Sequence, residues 1–483
     1  MPSETEFVAT PIEGDFAPRV AISGLAQRTE TLFFWWLIAV VALMPLPFGS
    51  ARPWAWSLAA VAVGLLALAY SAALAFVEGF RPAVPFRRLR LPLLLLTPAV
   101  LWAIFQALPI GSSELAHPVW QVAKMVLNAD FGGRISVDPF ATGTAIMRLL
   151  TYVTVFLLAV ELTRSSERAK TALAALSAVS AIYAAYGLFA FFFTPDLLLW
   201  FPKTNYQGDL SSTFVNRNSY ATFAGLGLLC AIGMLAKFIH RPALASQNRR
   251  VMAANLVRIL AEKGWIPMAA ITALVSAVVL THSRGGFLST GIGVLVLLFC
   301  VLTVGRLSRF GRALVAGVVL AGMVLIVHLS GEVTLERLGR TDIEREGRAA
   351  VFELVRQGIS DAPLIGHGYG AFETAFQAYA DETLDGYYPN AHNDYLELAF
   401  DLGLLASLFL IAAILAIAVA CLAGVYRRRR DVVYPALAVA AAVLVGAHAL
   451  VDFSLQMPAV AAFLAFLLGL GYSQSWTSAD PDT

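Results

Sequence analysis

The sequence predicts an all-α, polytopic membrane protein with about twelve transmembrane helices. Its 483 residues are 59% hydrophobic and only 14% charged, with a mean hydropathy of +0.73. Soluble domains are roughly 45–50% apolar and about 25% charged, so a soluble fold would leave much of this apolar surface in water. The apolar residues also collect into twelve runs, each close to the roughly 20 residues that cross a bilayer core.

The twelve apolar runs follow one another with mostly short polar connections between them. They cover residues 31–47, 54–77, 91–108, 144–162, 172–193, 220–238, 265–281, 287–304, 313–330, 403–425, 433–450 and 458–472. We therefore predict a single transmembrane domain over residues 31–474.

Both termini lie outside the apolar runs. Acidic side chains such as Glu4 and Asp15 precede the first run, unlike the basic start of a cleaved signal peptide. We predict that residues 1–30 form a disordered cytoplasmic tail and that residues 475–483 form a second cytoplasmic tail.

The distribution of Lys and Arg predicts the orientation, because cytoplasmic loops retain positive charge during insertion. With the N-terminus inside, the inner segments carry 22 of the 34 Lys and Arg residues and the outer segments carry 12. Five of those 12 lie in one long outer loop, about 331–402, and long loops are nearly exempt from the rule. A basic inner face suits anionic lipid headgroups, and no nucleic-acid motif is present.

The cysteines and histidines predict neither a disulfide framework nor a metal site. Cys230, Cys300 and Cys421 all lie inside apolar runs, where they are expected to pack between helices. The histidines lack the Cys or carboxylate spacing of a metal site. No metal or other cofactor is predicted.

The long outer loop contains an amphipathic segment. Within residues 346–360, apolar side chains recur at Val351, Leu354, Val355 and Ile359, which is helical spacing. This segment predicts a helix that lies on the membrane or caps a cavity.

Two arginines flank apolar runs at the predicted outer boundary. Arg217 precedes the sixth run, and Arg284 lies in the short turn before the eighth. A charge at a helix centre costs roughly 2.5–3.5 kcal/mol on insertion scales, so such residues are candidates for function. Two guanidinium groups at equal depth are suited to bind a diphosphate. Interfacial snorkelling of the two side chains is the alternative.

Histidine and carboxylate side chains complete the set of candidates. His392 lies near the end of the long outer loop, before the tenth run and on the predicted side of both arginines, and its imidazole is suited to accept a proton at neutral pH. Its neighbour Asn393 and the i, i+4 pair His448 and Asp452 are second-tier candidates, since the carboxylate is placed to orient an imidazole or a substrate hydroxyl. The alternatives are a hydrogen-bonded interfacial histidine and a structural interhelical hydrogen bond.

Together, these motifs resemble the O-antigen ligase and O-antigen polymerase superfamily of bacterial membrane glycosyltransferases. The resemblance covers roughly residues 200–460. It is carried by residues 214–221 (FVNRNSYA), 283–286 (SRGG), 361–370 (DAPLIGHGYG), 392–397 (HNDYLE) with Gly403, and 448–458 (HALVDFSLQMP). The N-terminal third matches in hydropathy alone.

The resemblance implies a fold of the C-type glycosyltransferase kind in the bacterial inner membrane, with a periplasmic active site. The implied donor is an undecaprenyl-diphosphate-linked glycan whose diphosphate Arg217 and Arg284 hold, and His392 is the implied base in a metal-independent, inverting transfer. The implied acceptor is lipid A core for a ligase or a second lipid-linked glycan for a polymerase. The sequence leaves this choice open, and a polysaccharide-lipid transporter or flippase and an assembly scaffold remain as alternatives of other classes.

Overall fold

The computed structural model describes most of the chain between residues 24 and 476. The described residues exclude 112–113, 130–131, 240–249, 252–253, 255–256, 259, 305–337, 383, 385 and 429. The predicted terminal tails therefore lie mostly outside the described residues. Helix α1 begins at Gly24, so the last part of the predicted 1–30 tail is helical.

The described residues are almost entirely helical. The α-helices are α1 (Gly24–Leu43), α2 (Pro53–Phe76), α3 (Phe86–Ala107), α4 (Val119–Leu127), α5 (Pro139–Leu162), α6 (Ser166–Phe193), α7 (Arg217–Ile239), α8 (Trp265–Leu280), α9 (Arg284–Val304), α10 (Leu338–Asp361), α11 (Phe372–Ala375), α12 (Asp394–Leu402), α13 (Leu404–Arg427), α14 (Val433–His448) and α15 (Pro458–Ser473). Short 3₁₀ turns cover Phe48–Ser50, Phe376–Ala378 and Ser454–Gln456, and a π-helical turn covers Leu260–Gly264. Within the described residues, the one sheet is a hairpin of β1 (Leu197–Leu198) and β2 (Phe201–Pro202).

The helices agree with an all-α polytopic membrane protein. Helices α2, α3, α5, α6, α7, α9 and α13 are long and apolar enough to cross a membrane, and α8, α14 and α15 are shorter apolar helices. Eleven of the twelve predicted runs fall on described residues, and each coincides with a helix. The ninth run, 313–330, lies outside the described residues, so the number of twelve spans stays a prediction.

Local sequence fixes several helix ends. Asp138 caps α5 by accepting a hydrogen bond from the Ala141 N–H at 2.9 Å, and Pro139 occupies the first helical position. Helix α12 ends at Gly403, whose φ of +77° lies in the left-handed region that glycine adopts without strain.

Helices α14 and α15 form the centre of the bundle. Every residue of α15 is buried, and α15 packs against α5 and α14. Glycine permits the close approach, because a Cβ at Gly469 would lie 2.6 Å from the Phe156 carbonyl oxygen. Small residues serve this purpose between membrane helices.

The connections between helices collect at two ends of the bundle. At one end, called the site end here, the connections before α2, α5, α7, α9, α12 and α15 meet. Examples are the hydrogen bonds from the Leu210 N–H to the Leu280 carbonyl at 2.9 Å and from Thr213 Oγ1 to the Pro45 carbonyl at 2.7 Å. At the opposite end, the connections before α3, α6 and α14 meet the C-terminus of α15.

The predicted amphipathic helix is present as part of α10. Val351 and Val355 are buried against α12 and the segment around α11, and Leu354 and Ile359 pack at the edge of the same cluster. Helix α10 therefore covers part of the site end.

Candidate active site at one end of the bundle

Both candidate arginines occupy the first position of a helix. In residues 214–221, the side chain of Asn216 accepts a hydrogen bond from the Asn218 N–H at 2.7 Å, and Arg217 is the first residue of α7. In the turn before α9, Ser283 Oγ accepts a hydrogen bond from the Gly286 N–H at 3.2 Å, and Arg284 is the first residue of that helix. Each of these two motifs is therefore a helix cap followed by an arginine.

Arg217 has a carboxylate partner inside the protein. Its guanidinium pairs with Asp209, and the other oxygen of that carboxylate lies 2.7 Å from His282 Nδ1. The guanidinium carbon also lies 5.2 Å from the ring centroid of Tyr206. These contacts fix the direction of the guanidinium and leave further N–H donors for a ligand.

Arg284 is exposed, and the glycine after it lies directly against α14. A Cβ at Gly285 would lie 2.9 Å from Val451 Cγ2 and 3.3 Å from His448 Nε2. The small residue therefore lets the start of α9 approach the turn that follows α14, here called the hub turn (residues 448–453).

Asp452 links the hub turn to α7 and lies near the loop before α12. Its side chain is buried, and its two oxygens accept hydrogen bonds from Asn218 Nδ2 and, at 2.8 Å, from the Phe453 N–H. His392 Nδ1 lies 3.8 Å from Asp452 Oδ1, which is longer than a hydrogen bond. Burial raises the pKa of Asp452, while the charges of Arg348 and Arg217 favour its ionised form.

His392 is held in an unusual backbone conformation at the edge of the site. Its φ of +54° lies in the left-handed region, which is uncommon for a residue other than glycine. Its ring packs edge-on against Phe453, with centroids 4.8 Å apart. The side chain remains 20% exposed, and its Nδ1 forms no hydrogen bond with any described residue.

The electrostatic environment keeps His392 neutral. Burial lowers the pKa of this imidazole to about 4, and the positive charge of Arg348 acts in the same direction. At neutral pH the ring is therefore unprotonated. It is chemically able to accept a proton from a hydroxyl group.

The second-tier residues have clear structural contacts. Asn393 caps α12 by accepting hydrogen bonds from the Tyr395 and Leu396 N–H groups, both at 3.0 Å, and its Nδ2 donates to the Leu450 carbonyl at 2.9 Å. Its side chain positions the segment beside His392.

His448 lies at the end of α14 in a cluster of hydroxyl groups. Its Nδ1 lies 2.8 Å from Ser454 Oγ and 3.0 Å from Thr222 Oγ1. Its Nε2 is buried near Gly285 and has no hydrogen-bond partner among the described residues. His448 therefore has hydroxyl partners at Nδ1, whereas its Nε2 has no hydrogen-bond partner among the described residues.

The structure brings together residues that the sequence did not predict as part of the site. Asp209, His282 and Arg348 all contact or act on the predicted candidates. The sequence could have indicated Arg348, because it lies three residues before Val351 and therefore on the apolar face of the amphipathic helix. For Asp209 and His282 the sequence gives no comparable pattern.

No group of three or more His, Cys, Asp or Glu side chains is arranged to hold a metal ion in the described ranges between residues 24 and 476.

Comparison with known protein families is consistent with these features. Residues 269–411 match the model of a family described as O-antigen ligase. The matched segment contains Arg284 and His392, whereas Arg217, His448 and Asp452 lie outside it. No curated protein matches the chain.

The match confirms the predicted resemblance to the O-antigen ligase superfamily in this part of the chain. With the apolar helices, it identifies a multi-pass membrane protein. It also supports a ligase- or polymerase-like role in surface polysaccharide biosynthesis, with glycosyltransferase-like activity.

Proposed function

We propose that this chain transfers a saccharide from an undecaprenyl-diphosphate-linked donor to an acceptor hydroxyl at the periplasmic face of the bacterial inner membrane. One observation carries the proposal. The segments that bear Arg217, Arg284 and His392 all contact the hub turn, so residues far apart in sequence meet at one end of the bundle. In this proposal the chain crosses the membrane twelve times and both termini are cytoplasmic.

The two arginines hold the diphosphate of the donor. As first residues of α7 and α9, they lie beside backbone N–H groups that a helix leaves without carbonyl partners. A helix N-terminus carries partial positive charge and favours anions, and an arginine adds paired hydrogen bonds to phosphate oxygens. The start of each helix therefore supplies two kinds of anion-binding group, the backbone N–H groups of the first turn and the guanidinium of the arginine.

His392 acts as the base for the acceptor hydroxyl. The acceptor oxygen attacks the anomeric carbon while its proton passes to the imidazole, and the bond between that carbon and the diphosphate oxygen breaks with its electron pair remaining on the diphosphate. Direct attack inverts the anomeric centre. Fixed cations stabilise the negative charge that develops on the leaving group, so the reaction needs neither a metal nor a separate acid.

Asp452 orients and stabilises the base. Its Oδ1 lies 3.8 Å from His392 Nδ1, within reach of a hydrogen bond after a small movement of the ring. The imidazolium that forms during transfer would then lie next to a negative charge.

The test is glycan transfer by purified protein in detergent, with a lipid-diphosphate-linked donor and an acceptor. We expect Arg217→Ala, Arg284→Ala and His392→Ala each to lower the rate by about 10²-fold or more. Arg356→Ala is the matched control, because Arg356 is an exposed arginine of α10 that pairs with Glu353, and it should retain the wild-type rate. Stable, correctly inserted site variants with full transfer would contradict the proposal.

The same assay separates the ligase from the polymerase. A ligase joins the glycan to lipid A core, and its product has lost the diphosphate; a polymerase joins it to a second lipid-linked glycan, and its product stays diphosphate-linked. Movement of the saccharide lipid across sealed vesicles without a covalent product would instead favour a transporter or flippase.

A further inference from the structure

Glu397 of α12 binds the two residues that directly precede His392. Its Oε2 accepts a hydrogen bond from the Ala391 N–H at 2.8 Å, and its Oε1 accepts one from Asn390 Nδ2 at 3.2 Å. Glu397 is only 3% exposed. Both oxygens of this buried carboxylate therefore bind the segment that leads into the proposed base.

The segment is also held on the other side of His392. Asn393 Nδ2 donates a hydrogen bond to the Leu450 carbonyl at 2.9 Å, and the Asp394 N–H donates to the Ala449 carbonyl at 2.9 Å. These bonds attach the start of α12 to the hub turn. His392 therefore lies between two hydrogen-bonded stretches of backbone.

His392 itself has the backbone conformation that needs this support. Its φ of +54° lies in a region that residues other than glycine rarely adopt, and such a conformation persists only where the surrounding contacts hold it. This conformation also sets the direction in which the side chain leaves the backbone. It places the ring against Phe453, with Nδ1 3.8 Å from Asp452 Oδ1.

The burial of Glu397 makes its two hydrogen bonds important. A buried carboxylate loses its hydration, and this cost is offset only where other donors replace the water. At Glu397 the replacing donors come from residues 390 and 391. Movement of this segment would leave the carboxylate without them, so the carboxylate and the segment before His392 stabilise each other.

We propose that Glu397 positions His392, because its carboxylate holds residues 390–391 and so directs the imidazole toward Asp452. The inference rests on the proposed function, in which His392 is the base. A base that is already held in its working geometry needs less rearrangement during the reaction. Glu397 acts through His392 and is a positioning residue.

Steady-state kinetics of purified full-length protein test this role. Glu397→Gln keeps the size of the side chain but turns an NH₂ group toward one of the two donors. We expect kcat to fall about tenfold with little change in the KM for the donor, because the arginines proposed to bind the diphosphate lie on α7 and α9. Asn390→Ala removes one of the two hydrogen bonds and should lower kcat less.

Asp401→Asn is the matched control for Glu397→Gln. Asp401 is a second buried carboxyl group of α12, and it accepts a hydrogen bond from the Gly370 N–H at 2.6 Å instead of from the segment before His392. This variant should keep the wild-type kcat. A fall in kcat equal to that of Glu397→Gln would show that any buried carboxyl of α12 matters alike and would overturn the inference.

A double-mutant cycle separates positioning from general structural damage. If Glu397 acts through His392, Glu397→Gln should change the residual transfer rate of His392→Gln by less than about twofold, although it lowers the rate of the wild type about tenfold. Additive effects of the two substitutions would overturn the inference. An unchanged kcat in Glu397→Gln would also overturn it.

Chemical labelling tests the same idea without turnover. Diethyl pyrocarbonate modifies neutral imidazole groups, and mass spectrometry measures the modified fraction of His392. The released ring should react severalfold faster in Glu397→Gln than in wild type, whereas Asp401→Asn should leave the rate unchanged. Equal labelling of His392 in wild type and Glu397→Gln would overturn the inference even if transfer is established. Faster labelling in a protein that performs no transfer would support the positioning and count against the proposed function alone.

Discussion

The two ends of the helix bundle differ in the helix terminus at which four of their cations lie, Arg164 and Lys237 at one end and Arg217 and Arg284 at the other. At the end opposite the site, Arg164 donates to the Ser473 carbonyl at 2.9 Å at the C-terminus of α15, and Lys237 lies in the last turn of α7, where it pairs with Asp431 at 2.9 Å. At the site end, Arg217 and Arg284 are the first residues of α7 and α9.

This difference in position distinguishes cations that stabilise the fold from cations that are candidates for binding a ligand. A cation at a helix C-terminus is favoured by typically 0.3–1 kcal/mol, and a cation at the N-terminus is disfavoured. Arg164 therefore stabilises the fold by satisfying a free carbonyl group of α15, and Lys237 stabilises it from the last turn of α7, where it pairs with Asp431. Arg217 and Arg284 oppose the helix dipole; Asp209 offsets this repulsion at Arg217, and an anionic ligand would relieve it at Arg284.

The comparison predicts a large functional effect of Arg284→Gln without a loss of stability. Arg284 is exposed at the start of α9, and its removal eliminates an unfavourable charge. We expect transfer activity to fall by about 10²- to 10³-fold, while the thermal midpoint stays equal or rises slightly. Thermal unfolding and transfer assays on the same preparation measure both, and a parallel loss of stability and activity would show that Arg284 is a structural residue.

The pH dependence of transfer provides a second test at the site end. Because the pKa of His392 is lowered to about 4 by burial and by Arg348, the base is active above that pH and is lost as the pH falls through it. In the free protein, kcat/KM should therefore decline about tenfold per pH unit only below about pH 4.

The bound donor should shift this acid limb. The negative diphosphate favours the imidazolium form, so the limb of kcat should lie at higher pH than the limb of kcat/KM. Recovery of activity after return to neutral pH controls for acid unfolding. A kcat/KM limb near pH 6.5, the ordinary value for histidine, would contradict the environment described for His392.

The smallest effect is expected at the opposite end. Lys237→Gln removes the ion pair with Asp431 at the C-terminus of α7. We expect a stability loss of about 1 kcal/mol or less with kcat unchanged. A clear fall in kcat in a stable Lys237→Gln protein would break the distinction between the two ends.

Much of the fold could be predicted from the sequence because a bilayer makes hydropathy informative. Each predicted apolar run on described residues coincides with a helix, and the amphipathic spacing of Val351 and Val355 located α10. Short elements without a long apolar run are harder to predict from hydropathy. Helix α4 and the β1–β2 hairpin were not predicted, since neither forms a long apolar run.

The candidate site was predictable only in part, because its contacts join distant parts of the chain. The motifs singled out Arg217, Arg284 and His392, but only the structure shows that the segments bearing them contact the hub turn. The pairing of Asp209 with Arg217 and His282 depends on how the connection before α7 packs on the turn before α9. Single-sequence patterns carry no information about such packing.

The most direct test of the account follows the fate of a labelled lipid-diphosphate-linked glycan with purified wild-type protein and His392→Gln. The account predicts that wild type releases one lipid diphosphate for each glycan joined to the acceptor, that release requires the acceptor, and that His392→Gln lowers both by about 10²-fold or more. Release of lipid diphosphate without glycan transfer, or equal rates in the two proteins, would contradict it.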